Sequence, residues 1–163
     1  MTHQTGGCLC GAIRYEVTAP PARVTFCHCR FCQRITGGPY AVEPIFSASD
    51  MTITKGKPNT YAHRSEGSGM KVYSHFCGTC GAGIYYSFDR WDDVIGIHGG
   101  TFDDPNWFTF DESNAKHIFL DVARHDTVIP AGLPTFRQHA TTTDGTPCKA
   151  TVYDAPHPMA EEA

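Results

Sequence analysis

No apolar stretch in this chain approaches the ~20 residues that a membrane-crossing helix needs. Charge is sparse as well: 18% of the residues are charged, and 13 basic against 17 acidic side chains leave a formal net charge of −4. No concentrated basic run interrupts that balance, which argues against nucleic acid as a partner. The first seven residues, Met1 to Gly7, lack the basic start and apolar run of a secretory signal. The expectation is therefore a cytoplasmic protein without a membrane partner. Thiols stay reduced in that compartment, so clustered cysteines read as metal ligands and not as disulfides. At 163 residues the chain can bury a core of its own as one domain. Its 12% aromatics, 16 Gly and 11 Pro suit a turn-rich β protein better than a helical bundle or a disordered chain.

Cysteine is what the chain has in quantity, and its placement is uneven. Seven of the eight fall into three clusters: Cys8 and Cys10, then Cys27, Cys29 and Cys32, then Cys77 and Cys80. Zinc favours four thiolates in a tetrahedron, and C-x-x-C lets one turn offer two sulfurs to one ion. A four-thiolate structural site consumes four sulfurs and leaves three. Three protein ligands with an open position is how a catalytic zinc is held. Four plus three points to an enzyme.

Strand signals flank these clusters. Gly11–Val17 alternates apolar and polar residues at the period of a half-buried strand. Further strands are expected at 22–27, 40–46, 51–54, 59–64, 70–76, 82–88, 93–98 and 117–122. A helical turn is expected at 30–36, closed by Gly37 and Gly38. The strands around Cys77 and Cys80 have the pattern of a zinc ribbon on a hairpin. Beyond Ile129 no periodicity remains, and a draped or mobile segment is expected there.

Alternation also constrains the ligands. If Cys27 to Cys29 is extended, both sulfurs face one way and His28 faces the other. The same geometry would place Cys8 and Cys10 on one side, around Leu9. Two partitions then remain. Cys8, Cys10, Cys77 and Cys80 close one site and leave Cys27, Cys29 and Cys32; or the two C-x-x-C turns share an ion and leave Cys8, Cys10 and Cys27. Locality favours the first, because it keeps each cluster whole. A further reading makes all seven thiolates structural, with His28 or His75 as an eighth ligand. An open three-thiolate zinc would carry a formal charge of −1. It would suit holding a thiol as thiolate or polarising an aldehyde oxygen.

Gly6-Gly7-Cys8-Leu9-Cys10-Gly11, with Cys27-His28-Cys29-Arg30-Phe31-Cys32 and Phe76-Cys77-Gly78-Thr79-Cys80-Gly81, resembles the glutathione-dependent formaldehyde-activating enzyme family, which includes the centromere-protein-V-like proteins. Thr101-Phe102-Asp103-Asp104-Pro105 and His117-Ile118-Phe119 resemble its C-terminal half. The resemblance covers roughly residues 5 to 137. It implies a mainly β fold, a β-tent of antiparallel sheets around zinc-binding knuckles, in a domain at 1–137 followed by a tail at 138–163. It implies the first partition, with two zinc ions per chain and a labile one at the catalytic Cys27, Cys29 and Cys32. The implied activity is a carbon–sulfur lyase acting on an aldehyde–thiol adduct such as S-hydroxymethylglutathione, with a small thiol and an aldehyde as partners. One departure stands out. The family often carries a tryptophan just after the His-Ile-Phe strand, where this chain reads Ala123-Arg124-His125-Asp126.

Phe31, Arg34 and Tyr40 are candidates for substrate contact, Arg34 as a carboxylate partner. His98 is a candidate proton shuttle. Trp91 and Trp107 are expected to cover the core or an entrance, and Cys148 to be an incidental thiol. The competing functions are a non-catalytic zinc module that binds a protein, and an enzyme of the same fold with an unrelated small-molecule substrate.

Overall fold

The structure, a computed structural model, describes residues 3–160. In chain order the strands are β1 (Gln4–Gly7), β2 (Arg14–Val17), β3 (Arg23–Cys27), β4 (Ala41–Ser47) and β5 (Met51–Lys55). They continue with β6 (Asn59–Arg64), β7 (Lys71–Phe76), β8 (Gly83–Phe88), β9 (Trp91–Ile97) and β10 (Ala115–Ile118). Four two-residue strands follow: β11 (Val128–Ile129), β12 (Pro134–Thr135), β13 (Thr151–Val152) and β14 (His157–Pro158). One α-helix, α1 (Arg30–Thr36), lies between β3 and β4. The fold is mainly β, as the alternation predicts.

The chain packs as two compact units, one formed by the residues up to 23 together with 43–109, the other by 24–42 together with the residues from 110 onward. In the first unit β2 lies between β1 and β5, antiparallel to both. The remaining strands run antiparallel in the order β4-β9-β8-β7-β6. Tyr15, Val17, Phe46, Ile84, Ile97 and Phe102 form the apolar core. Gly6 is required here: a Cβ at this position would lie 2.3 Å from the Tyr15 hydroxyl and 2.5 Å from the Thr101 carbonyl. That close approach lets Tyr15 meet the Thr101 hydroxyl at 2.8 Å, while Arg14 and Thr5 both bond the Asp103 carboxylate. The Thr101–Asp103 motif is thereby tied to the first two strands.

The second unit departs from the antiparallel pattern. β10 runs parallel to β3 on one side and parallel to β12 on the other, and β13 extends the set antiparallel to β12. The strand expected at 117–122 ends at Ile118. Phe119 takes the left-handed backbone, φ 63°, and residues Leu120–Val122 form a 3₁₀ turn. An aromatic side chain seldom adopts that conformation. Phe119 packs on the cluster of Cys27, Cys32, Ala41, Ile118 and Ala140, which accounts for its being held there. The segment after Ile129 is not a structureless drape. It supplies β12, β13 and β14, and buries Leu133, Thr135 and Ala140. Runs of two residues such as Pro134–Thr135 are too short to show a periodic pattern in the side chains.

Candidate metal centres and the adjoining cleft

In the first unit the sulfurs of Cys8, Cys10, Cys77 and Cys80 all lie within 4.8 Å of one another. Two turns of the same design present them. After β1, the Cys8 amide donates to the Ile13 carbonyl and the Gly11 amide to the Cys8 carbonyl. After β7, the Cys77 amide donates to Ala82 and the Gly81 amide to Cys77. Gly11 and Gly81 follow the second cysteine of each pair at φ 72° and 75°, where glycine carries no steric penalty. Cys8 and Cys10 are therefore brought together by a turn and not by the extended geometry expected of them, and Leu9 at the apex is 91% exposed.

The spacing fits a tetrahedral zinc. A Zn–S bond of ~2.3 Å places neighbouring sulfurs about 3.8 Å apart. Cys8 and Cys10 stand at 3.6 Å, Cys10 and Cys77 at 3.8 Å. Burial raises the Cys8 thiol pKa, but the Ile13 amide and the thiols of Cys10 and Cys77 outweigh it and bring the group down to about 6. The cluster already favours a thiolate, the form a metal requires.

In the second unit Cys27, Cys29 and Cys32 form a three-sulfur group, again within 4.8 Å. Cys27 ends β3, Cys29 caps α1 and Cys32 lies in its first turn. The Cys29 sulfur accepts from the Cys32 amide at 3.4 Å. Hydrogen bonds from the Cys27 and Cys32 thiols hold the Cys29 thiol far below its ordinary range, against the opposing effect of burial. Cys27 and Cys32 are buried, while Cys29 is partly exposed. Gly37 closes the helix with φ 71°, its backbone N–H donating to the Gln33 carbonyl, as the Gly37-Gly38 pair predicts.

His28 stands apart from the three sulfurs. Its ring is 0% exposed and meets the buried His117 ring, Nε2 to Nδ1 at 3.0 Å. Phe26 stacks on His117 at 4.5 Å, and Tyr40 lies 4.9 Å from His28. Tyr40 thus packs on this histidine pair, while Phe31 packs beside the cysteines. His75 stacks on Tyr85 and bonds Thr60 and Ser87. Arg34 is exposed. Trp107 sits in the first unit's core against Phe46 and Phe102, and Trp91 packs on Phe88 under Arg90. Cys148 is half-buried, its amide bonded to Ala140.

His98 lies over Gly83 and 4.5 Å from the Tyr86 ring. Burial lowers its pKa to about 4. The folded state therefore keeps the ring neutral, while the unfolded chain takes up a proton below ~6.5. Stability should be intact above that pH and fall as pH drops from ~6.5 towards 4, by about 2 kcal/mol between pH 7 and 5. Denaturant melts of wild type and His98→Gln at the two pH values test this. The variant should lose that part of the acid dependence; equal pH slopes would refute it, since the clustered cysteines titrate in both proteins.

Sequence reasoning passed over one feature. A cleft of about 430 Å³ is lined by Arg30 and Gln33 of α1 and by residues 122–126, the stretch in which the resemblance breaks. A break in a motif signals change at a position without saying what surrounds it.

Together these features define a mainly β protein carrying two cysteine groups able to hold metal ions, with donor sets compatible with zinc. Residues 3–121 match the profile of the family described as glutathione-dependent formaldehyde-activating enzyme, and the chain belongs to that family. A Halomonas elongata protein named "putative glutathione-dependent formaldehyde-activating enzyme" is 29% identical over 94 residues, 55% of this chain and 59% of the relative. The match thus spans little more than half of that protein's length. A crystal structure of a Rhodobacter sphaeroides protein aligns with 61% of this chain and 87% of its own at 23% identity, with a TM-score of 0.49. Among the described residues, no helix is long and apolar enough to cross a membrane.

Proposed function

We propose that this chain is a zinc-dependent enzyme of the carbon–sulfur lyase type, acting on the adduct of a small aldehyde with a thiol such as glutathione. Cys8, Cys10, Cys77 and Cys80 are the structural ligands in this reading, and Cys27, Cys29 and Cys32 the catalytic ones. The observation that carries it is the contrast between a four-sulfur set and a three-sulfur set whose Cys29 reaches the surface. Membership of the family supports the thiol and aldehyde as substrates.

Zinc bound by three thiolates supplies Lewis acidity, which favours the thiolate form of a substrate thiol and draws charge onto an aldehyde oxygen. The chain's own groups supply the rest. Cys29 stands at the start of α1, with its sulfur held by the Cys32 amide, so one edge of the site is fixed by backbone. Phe31, Phe119 and Phe136 pack against the cysteines and exclude water from their inner side. The reaction is redox-neutral: the substrate sulfur bonds to the carbonyl carbon, the carbonyl electron pair moves to oxygen, and that oxygen takes the proton the thiol loses. Cleavage reverses each step.

Two measurements test this reading. Purified protein loaded with zinc should hold two ions per chain, one removed by chelator far more readily than the other. Exchange of formaldehyde with glutathione, followed by NMR, should run faster than in buffer and slow when the labile ion is removed. A rate equal to buffer at full zinc loading would end the enzymatic reading.

A further inference from the structure

Recognition of the thiol away from its sulfur falls to the cleft beside α1. Arg30 and Gln33 are one helical turn apart on one face; Gln33 lies about 100° round the helix from Cys32 and Arg30 about 160°. Arg30 directly follows Cys29, so their Cα atoms are about 3.8 Å apart. A tripeptide-sized thiol can therefore reach both the three-sulfur group and the cleft.

The cleft is built. Gln33 is buried, and its side-chain NH₂ donates to the His28 carbonyl at 2.6 Å and the Val122 carbonyl at 2.7 Å. Its carbonyl oxygen accepts from the Arg30 guanidinium. One amide thus ties the strand end bearing Cys27 and Cys29, the helix bearing Cys32, and the opposite rim. That rim is a turn closed by the Thr127 amide on the Arg124 carbonyl at 3.2 Å, with Asp126 in the left-handed region at φ 64°. The Asp126 amide donates to Met159 at 2.9 Å, and the Met159 amide returns a bond to Thr127 at 2.8 Å. Among the described residues, neither Arg124 nor Asp126 forms an ion pair, and Arg30 meets only the neutral Gln33. The cleft is therefore lined by two arginines and one aspartate on a pinned frame, with His125 beside them.

We infer that this cleft binds the zwitterionic α-amino-acid end of the thiol substrate, its carboxylate on Arg30 and Arg124 and its ammonium on Asp126. The inference rests on the reading of Cys27, Cys29 and Cys32 as the reacting site. Charge matching decides the class. A simple carboxylate would meet Asp126 with like charge, and a simple amine would meet two cations. An uncharged thiol would cover all three charges without replacing the water it displaces. Guanidinium groups suit a planar carboxylate, which they can grip through paired bonds. A thiol with a free γ-glutamyl group satisfies both signs. The Ala123-Arg124-His125-Asp126 departure is thus a substrate-recognition device of this chain.

The test is calorimetric titration of the zinc-loaded full chain with reduced glutathione, N-acetylglutathione and 2-mercaptoethanol. The variants are Arg124→Gln and Asp126→Asn. Both positions are exposed, and asparagine accepts the left-handed backbone at 126, so thermal melts should match wild type. Each substitution should weaken glutathione by about tenfold relative to 2-mercaptoethanol, the scale of a charge-assisted hydrogen bond. N-Acetylglutathione should bind wild type more weakly than glutathione does, and Asp126→Asn should cost it nothing further. Glutathione affinities within twofold of wild type in both variants would overturn the inference and leave the cysteine site standing. If neither glutathione nor 2-mercaptoethanol binds zinc-loaded wild type, the cysteine-site reading fails, and this inference with it.

Discussion

Cys77→Ser should abolish the cooperative fold of the chain. Cys77 is fully buried between β7 and β8, and its sulfur faces that of Cys10, 67 residues earlier in the sequence. A metal held there clips the turn after β1 to the turn after β7. A structural zinc contributes apparent binding energy on the order of 10 kcal/mol, comparable to the whole stability of an ordinary domain. Serine cannot replace the thiolate, and its hydroxyl would sit in an apolar core without the ion. Circular dichroism should show no cooperative thermal transition, and bound zinc should fall below two per chain. The contrasting result is a melting temperature only a few degrees lower with zinc content unchanged. Cys77 would then be a plain core residue, for which a loss of about 1–3 kcal/mol is usual.

Cys29→Ser should do the opposite: spare the fold and remove the activity. Cys29 is the N-cap of α1 and is partly exposed, and serine is among the best N-cap residues. The helix keeps its cap, and the cluster it packs on loses only the contacts of one partly exposed sulfur. The three-sulfur group loses a donor, so zinc should fall from two per chain to about one. Turnover of the formaldehyde–glutathione adduct should drop by at least about a hundredfold, the scale of losing one electrostatic stabiliser at a reacting centre. Equal damage to stability in Cys29→Ser and Cys77→Ser would show that the two groups share one structural task.

Local signals carried much of the fold. The alternation around Tyr15 and the run from Ala82 to Phe88 marked β2 and β8, because one face of each is buried and side chains report that directly. The Gly37 stop of α1 was equally plain, since a left-handed C-cap favours glycine. The end of β10 was hidden. Phe119 looks like a strand residue, and only its packing against the cysteine cluster explains the backbone it adopts. The two-residue strands β12 to β14 were hidden for a different reason, because their pairing partners lie far along the chain. Parallel pairing of β10 with β3 is likewise invisible locally, because no turn connects them.

Thiolate chemistry and the spacing of seven cysteines pointed, without coordinates, to a β protein of a recognisable family with cysteine groups able to hold metal ions. Ligand type and turn length are local properties, written in adjacent residues. The tertiary structure alone decided which sulfurs meet. Cys8 and Cys10 join Cys77 and Cys80 because β1 and β7 belong to one unit, while Cys27, Cys29 and Cys32 stand together in the other. It also brought Arg30 to the same cleft as Arg124 and Asp126, through one buried glutamine that bonds the nearby His28 carbonyl and the distant Val122 carbonyl. Contacts between residues some ninety positions apart depend on packing, and packing is a property of the whole chain.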